Sequence, residues 1–196
     1  MLINTLLIFI SIAVTVILLV ASDWRWTIIG LSLCYLISFA LIVQIWPIAL
    51  ASVKLISGLI GIVLLSSVKI NLEQQAPKAY SLSYRIFIFL VASLSWMVVT
   101  ATVGGLNEWL PIAYTNLFVG MIFLLAGLIQ FSLFHTPFEI VVGLLVFLTG
   151  FDILYSSLEG SALVAGIYGL IVLAISILGG YLESGSLSKV ESWARR

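Results

Sequence analysis

The chain has 196 residues, of which 63% are hydrophobic and 8% charged, and eight basic side chains balance eight acidic ones. Soluble domains carry about 25% charged residues, so this composition excludes a water-soluble globular domain. The balanced charge gives no field that would attract nucleic acid, and the single cysteine and single histidine exclude a disulfide framework and metal sites built from several of these residues. The sequence therefore predicts an all-α, polytopic membrane protein.

Seven apolar stretches are long enough to cross a bilayer, which takes roughly 20 residues of helix. The predicted spans cover residues 2–21, 27–46, 48–68, 86–103, 112–134, 138–157 and 162–182. Pro47, Pro111 and Pro137 lie between successive spans, because proline cannot continue a helix ladder. The chain is thus predicted to form a single transmembrane domain of seven helices.

The basic residues indicate the orientation of these spans. With seven crossings, the N-terminal side receives no basic residue, and Lys54 lies inside a span. The C-terminal side receives Arg25, Lys69, Lys78, Arg85, Lys189, Arg195 and Arg196. The positive-inside rule then predicts an outside N-terminus and a cytoplasmic C-terminus. The membrane is expected to be a bacterial cytoplasmic membrane.

Features of the membrane surface occur at the predicted span ends. Amphipathic indole rings prefer the headgroup level, and five tryptophans fall at span ends: Trp24, Trp26, Trp46, Trp109 and Trp193. Residues 183–196 are predicted to form a short interfacial tail, in which Ser188 and Glu191 make a capping box. The alternative for this segment is a frayed terminus.

Two charges of opposite sign lie inside the predicted spans at similar depth. Lys54 lies about 9 Å below the outer end of span three, and Asp152 about 7.5 Å below the outer end of span six. A charge near the bilayer centre costs roughly 2.5–3.5 kcal/mol, so we expect the two to form a buried ion pair. The alternatives are that Lys54 snorkels outward while Asp152 is protonated or bonded to a hydroxyl, or that the partner lies on another subunit.

Carboxylates and lysines inside a membrane are the groups from which proton relays are built. Glu139 lies at the cytoplasmic start of span six, and Glu159 follows its outer end. Glu139 and Asp152 lie on different faces of the helix, so a relay from Glu139 through Asp152 to Glu159 needs water or other residues between them. Lys54, Asp152, Glu139 and Glu159 are the candidates for a proton relay or a buried ion pair.

The remaining reactive residues are interpreted as structural. His135 precedes Thr136-Pro137 and is expected in a loop, the alternative being a haem or chlorophyll ligand. Cys34 is expected to act as a small apolar side chain. No phosphate-binding loop or serine–histidine pair occurs. We therefore predict no catalytic, cofactor or metal site, and at most a non-catalytic subunit of an oxidoreductase complex.

Residues 142–157, VGLLVFLTGFDILYSS, and 164–170, VAGIYGL, resemble the K-type small membrane subunit. This subunit occurs in complex I, in group 4 membrane hydrogenases, which have a longer E-type form, and in multisubunit cation/proton antiporters. In that family a Gly-Leu-Glu-like step puts a carboxylate inside a helix, and Gly150-Phe151-Asp152 is the matching step within residues 136–182. This sequence departs in having aspartate there and in lacking a second carboxylate in the next predicted span. The resemblance implies an accessory role beside antiporter-like subunits.

These observations lead to three functional hypotheses. The first is a non-catalytic membrane subunit of an ion-translocating assembly, with the lipid bilayer and other membrane subunits as partners. The second is a scaffold that holds partners through small-residue strips such as Ala162 with Gly166 and Ala165 with Gly169. The third is a self-contained transporter built on an inverted repeat.

Overall fold

The computed structural model describes residues 2–21, 23–71 and 81–194, and the side chains of residues 3–21, 23–70 and 81–185. The regular secondary structure of these parts of the chain is entirely helical. The helices are α1 (Leu2–Val20), α2 (Trp24–Ile42), α3 (Ile48–Asn71), α4 (Leu82–Trp109), α5 (Tyr114–Leu133), α6 (Pro137–Leu158) and α7 (Ala162–Ala194). Each of the seven is long and apolar enough to cross a membrane. The predicted all-α class with seven apolar spans is confirmed.

Capping side chains set the starts of three helices. The Asp23 carboxylate accepts the Arg25 N–H at 3.2 Å where α2 begins. The Ser81 hydroxyl accepts the Tyr84 N–H at 3.3 Å in front of α4. Thr136 does the same in front of α6. These bonds satisfy N–H groups that have no partner within the first turn of a helix.

Helices α3, α4 and α7 extend three residues or more beyond the apolar stretches that predicted them. Helix α4 continues through Gly104-Gly105 to Trp109, where a loop was expected. Glycine costs about 1 kcal/mol in a helix relative to alanine but does not by itself end one, so α4 ends just before Pro111. Helix α3 extends to Asn71, and α7 continues through the predicted interfacial tail to Ala194. The side-chain predictions for that tail lie outside the described residues.

The helices pack in two groups. Helices α1, α4 and α5 contact one another and form what we call the three-helix group. Helices α2, α3, α7 and α6 contact one another in that cyclic order and form the four-helix ring. The two groups meet along α1–α2 and, most extensively, along α5–α6.

Glycines allow α5 and α6 to pack with their backbones in contact. A Cβ atom on Gly127 would overlap the backbone of Phe147, and one on Gly150 would lie 2.5 Å from the Leu124 backbone nitrogen. Such small residues let apolar helices approach closely, which is a common basis of helix association in membranes. This contact fixes the three-helix group against the ring.

The outer surface of the bundle is apolar. Helix α4 buries only one stripe of side chains, formed by Ile88, Ala92, Val99 and Val103. The rest of α4 is exposed, with Met97 74% exposed. A helix of this hydropathy that faces outward fits contact with the lipid of a bilayer.

Candidate functional site

A buried ion pair joins α3 to α6 inside the four-helix ring. The Lys54 Nζ lies 2.5 Å from the Asp152 Oδ1, and the two side chains are 4% and 3% exposed. Lys54 lies six residues after the start of α3, and Asp152 six residues before the end of α6, or about 9 Å inside each helix end. The structure thus brings together the two residues that the sequence predicts at equal depth.

Ser156 is the second polar partner of the Lys54 ammonium. It lies one helical turn after Asp152 and therefore on the same face of α6. The Lys54 Nζ donates to the Ser156 Oγ at 2.7 Å, and that hydroxyl lies 3.4 Å from the Asp152 Oδ1. Both contacts of the carboxylate are made by Oδ1, and Oδ2 has no hydrogen bond from any residue that the structure describes.

Two aromatic rings enclose the ammonium group. The Lys54 Nζ lies 4.2 Å from the centre of the Trp46 ring and 5.5 Å from that of Tyr168, distances at which cation–π attraction contributes. The Trp46 Nε1 also donates to the Ser156 carbonyl oxygen at 2.8 Å, so the indole ties the α2–α3 turn to α6. Trp46 thus lies in the turn between two spans, where a span end was predicted, and its ring is buried against the bundle.

A second ion pair lies at the opposite end of the ring. Lys69 of α3 pairs with Glu183 of α7, whose Oε2 accepts the Phe138 N–H of α6 at 3.2 Å. The apolar stretch ends at Leu182, so Glu183 was not predicted among the buried charges, yet the helix continues and the carboxylate is buried. Helix α7 therefore carries a buried acid one residue beyond the predicted span 162–182.

Matching positions on α3 and α7 signal this second pair. Lys69 and Glu183 lie the same number of residues after the first residue of their helices. The same holds for Lys54 and Tyr168, which also meet. In two parallel neighbouring helices, residues that follow the helix start by the same number of positions lie at the same depth. Once α3 and α7 are known to be neighbours, this count therefore indicates which of their residues meet.

The two other predicted site residues lie away from the Lys54–Asp152 pair. Glu139 belongs to the first turn of α6, where its carboxylate accepts the Thr136 hydroxyl at 2.5 Å and its N–H donates to the same hydroxyl. Its backbone lies roughly 20 Å from that of Asp152 along the helix axis. Glu159 is exposed after the last turn of α6 and accepts the Tyr155 hydroxyl at 2.9 Å. The structure forms no direct chain from Glu139 through Asp152 to Glu159 among the described residues.

The lone histidine and cysteine also lie apart from the ion pair. His135 is exposed in the turn between α5 and α6, where a loop residue was predicted. Cys34 is buried in α2 as a free thiol. Over residues 2–21, 23–71 and 81–194, no three histidine, cysteine or acidic residues are grouped so that they would hold a metal ion.

Comparisons with protein-family models, with curated protein sequences and with solved structures found no match to this chain. The resemblance of residues 136–182 to the K-type subunit stays a prediction.

Proposed function

We propose that the protein is a non-catalytic integral-membrane subunit of an ion-translocating assembly, of the kind found in complex I, group 4 membrane hydrogenases or multisubunit cation/proton antiporters. The Lys54–Asp152 pair is its polar centre. The observation that carries the proposal is the burial of both charges inside a bundle of helices that are long and apolar enough to cross a membrane. In this proposal the pair responds to charge that moves through neighbouring subunits.

Stability alone is a weak reason for a protein to keep such a pair. Replacing a buried ion pair by apolar residues of similar volume is often neutral or stabilising, because removing two charges from water is costly. Ionisable groups inside membranes therefore commonly mark ion or proton pathways. The Lys54 ammonium touches the Asp152 carboxylate directly, so a change in the protonation of one alters the charge that the other experiences.

The proposed orientation places the Trp46 end of the bundle outside and the Glu183 end in the cytoplasm, as the positive-inside rule predicts. Glu159 and His135 are exposed residues that flank the two ends of α6. In a Cys34→Ala background, Glu159→Cys should react with a membrane-impermeant maleimide in intact cells. His135→Cys should react only after permeabilisation, and the reverse pattern would contradict the proposed orientation.

The proposed partners are antiporter-like membrane subunits. Support comes from the start of α7, where Ala162 and Gly166 are exposed and a Cβ on Gly166 would meet no atom within 4 Å. Small exposed residues let a neighbouring helix approach closely in a membrane. Ala165 and Gly169 instead face the interior of the chain, where Gly169 packs against Ser57.

The decisive experiment measures assembly and proton movement in the same membranes. The tagged chain is purified with its native partners. Acidification of the interior of inverted vesicles is followed with a pH-sensitive dye. Asp152→Asn and Lys54→Met should lower proton movement while the partners still co-purify. Glu183→Gln is the matched control, because it alters a buried carboxylate of the other ion pair and should leave proton movement closer to wild type.

Unchanged proton movement in both variants would remove the role of the pair and favour the scaffold. For a scaffold, the single substitutions lower the recovery of partners, and the charge-swapped variant carrying Lys54→Asp and Asp152→Lys restores it. Uptake of a solute by the purified chain alone, reconstituted in vesicles, would instead favour the self-contained transporter.

A further inference from the structure

Two buried tyrosine hydroxyls lie near the ion pair without a hydrogen bond. Tyr35 of α2 and Tyr168 of α7 are 3% and 7% exposed, and both hydroxyl oxygens are inaccessible. Neither has a hydrogen-bond partner among the residues that the structure describes. The two hydroxyls nevertheless lie within weak hydrogen-bonding reach of each other and of the Thr149 side chain on α6, although no contact among the three has the geometry of a normal hydrogen bond. Three helices of the ring thus bring hydroxyl groups to one interior point.

Unpaired buried hydroxyls are uncommon in native proteins. The large majority of buried polar side-chain atoms have a protein or water partner, because an unmet hydrogen bond in a dry interior costs free energy. Water molecules bound inside proteins make two to four hydrogen bonds to such groups, and three hydroxyl groups converge here. The Thr149 hydroxyl donates to the Leu145 carbonyl at 2.8 Å, so its oxygen can still accept a bond.

The ring of Tyr35 is held in place by its neighbour on α3. A Cβ atom on Gly58 would overlap that ring, so the absence of a side chain at Gly58 is what admits it. The Tyr168 ring faces the Lys54 ammonium, and Thr149 lies one helical turn from Asp152. The two tyrosine hydroxyls are therefore directed into the ring beside the ion pair and have little freedom to turn elsewhere.

We infer that an ordered water molecule binds between the hydroxyls of Tyr35, Tyr168 and Thr149 and connects them to the ion pair through the Asp152 Oδ2, which the described residues leave without a hydrogen bond. This water can donate to the carboxylate and accept from a tyrosine hydroxyl. The interior of the four-helix ring is then hydrated next to its charges. The inference holds whether the chain takes part in ion movement or only scaffolds partners.

The sign of a stability change tests this water. Tyr35→Phe and Tyr168→Phe each remove one hydroxyl and nothing else, so they lower the melting temperature in lipid nanodiscs by about 2–4 °C if a water binds there. Tyr84→Phe shows how far the melting temperature falls when a hydrogen-bonded hydroxyl is removed, since Tyr84 donates to the Leu133 carbonyl at 3.0 Å. Tyr181→Phe shows the change in melting temperature that follows the loss of an exposed hydroxyl, which should be close to zero. An unchanged or higher melting temperature in both test variants would overturn the inference, because removing an unpaired hydroxyl stabilises a core.

Hydroxyl-radical footprinting in oxygen-18 water separates a bound water from a direct bond between the two tyrosines. Radicals formed at a bound water label the adjacent side chains, so Tyr35 and Tyr168 should take up label several-fold faster than Phe123, a fully buried ring of the three-helix group. Thr149→Val should reduce that labelling. Labelling of both tyrosines at the rate of Phe123 would overturn the inference, even if the phenylalanine variants were destabilised.

Discussion

The three-helix group and the four-helix ring are built from similar apolar helices but bury polar side chains in different ways. In the three-helix group, Ser11 and Thr15 of α1 donate to carbonyls of their own helix, at 2.7 and 2.8 Å. In the ring, Lys54, Asp152 and Ser156 bond across helices. The first pattern leaves the association of α1 with its neighbours to apolar packing. The second makes the relative position of α3 and α6 depend on charge.

The four-helix ring is the part of the molecule in which the described residues carry buried charges that can respond to an ion. Among the described residues of α1, α4 and α5, no acidic or basic residue is buried. A change in protonation therefore cannot alter the charge in the core of these three helices. In the ring, the two ion pairs that the described residues form, one buried and one partly buried, both involve α3, near its two ends. A change of charge would therefore alter the interaction of α3 with α6 across the ring and with its neighbour α7. The substitutions below test this contrast.

Lys54→Met should have the largest effect. It leaves the Asp152 carboxylate buried without its cation, and breaking a buried pair in this way costs about 3–5 kcal/mol of unfolding free energy. Unfolding by denaturing detergent in mixed micelles measures the loss. The double variant carrying Lys54→Met and Asp152→Leu removes both charges and should recover most of it. A single variant as stable as the wild type would show that the pair does not hold the ring together.

Gly127→Ala should have the next largest effect, because it acts on the contact that joins the two groups. The added methyl overlaps the Phe147 backbone and forces α5 away from α6, which we expect to cost about 1–3 kcal/mol. Gly104→Ala in α4 is the matched control, since its Cβ would meet no atom within 4 Å. The same detergent-unfolding measurement applies. Equal stability of the two variants would contradict a backbone contact between α5 and α6.

Thr15→Val should have the smallest effect. The hydroxyl bonds only to the Ile12 carbonyl of its own helix, and valine has nearly the same shape, so the change in unfolding free energy should stay within about 1 kcal/mol. A loss as large as that of Lys54→Met would mean that the polar groups of the three-helix group are as important as those of the ring.

The helices and the Lys54–Asp152 pair could be predicted from hydropathy and from the depth of each residue in its span. Both properties follow from the order of residues along the chain. Each span is set by a local run of apolar residues, and opposite charges at equal depth had few other partners within the chain. Glu183 was not predicted because the helix continues beyond the end of the apolar stretch, and Glu183 lies in that continuation.

The residues around the pair depend on how the helices rotate and pack, which hydropathy does not specify. The sequence places Trp46 at a span end, but only the α2–α3 turn shows that its ring folds back over Lys54. The meeting of Tyr35, Tyr168 and Thr149 requires three helices to be neighbours with particular faces inward. These parts of the candidate site could be found only in three dimensions.

A double-mutant cycle between Lys54 and Asp152 in a lipid environment tests most directly whether this pair is the polar centre of the ring. The unfolding free energies of Lys54→Met, Asp152→Leu and the double variant are compared with that of the wild type. We predict a coupling energy above about 1.5 kcal/mol, as expected for groups in direct contact. Effects that add to within about 0.5 kcal/mol would contradict a working ion pair between α3 and α6.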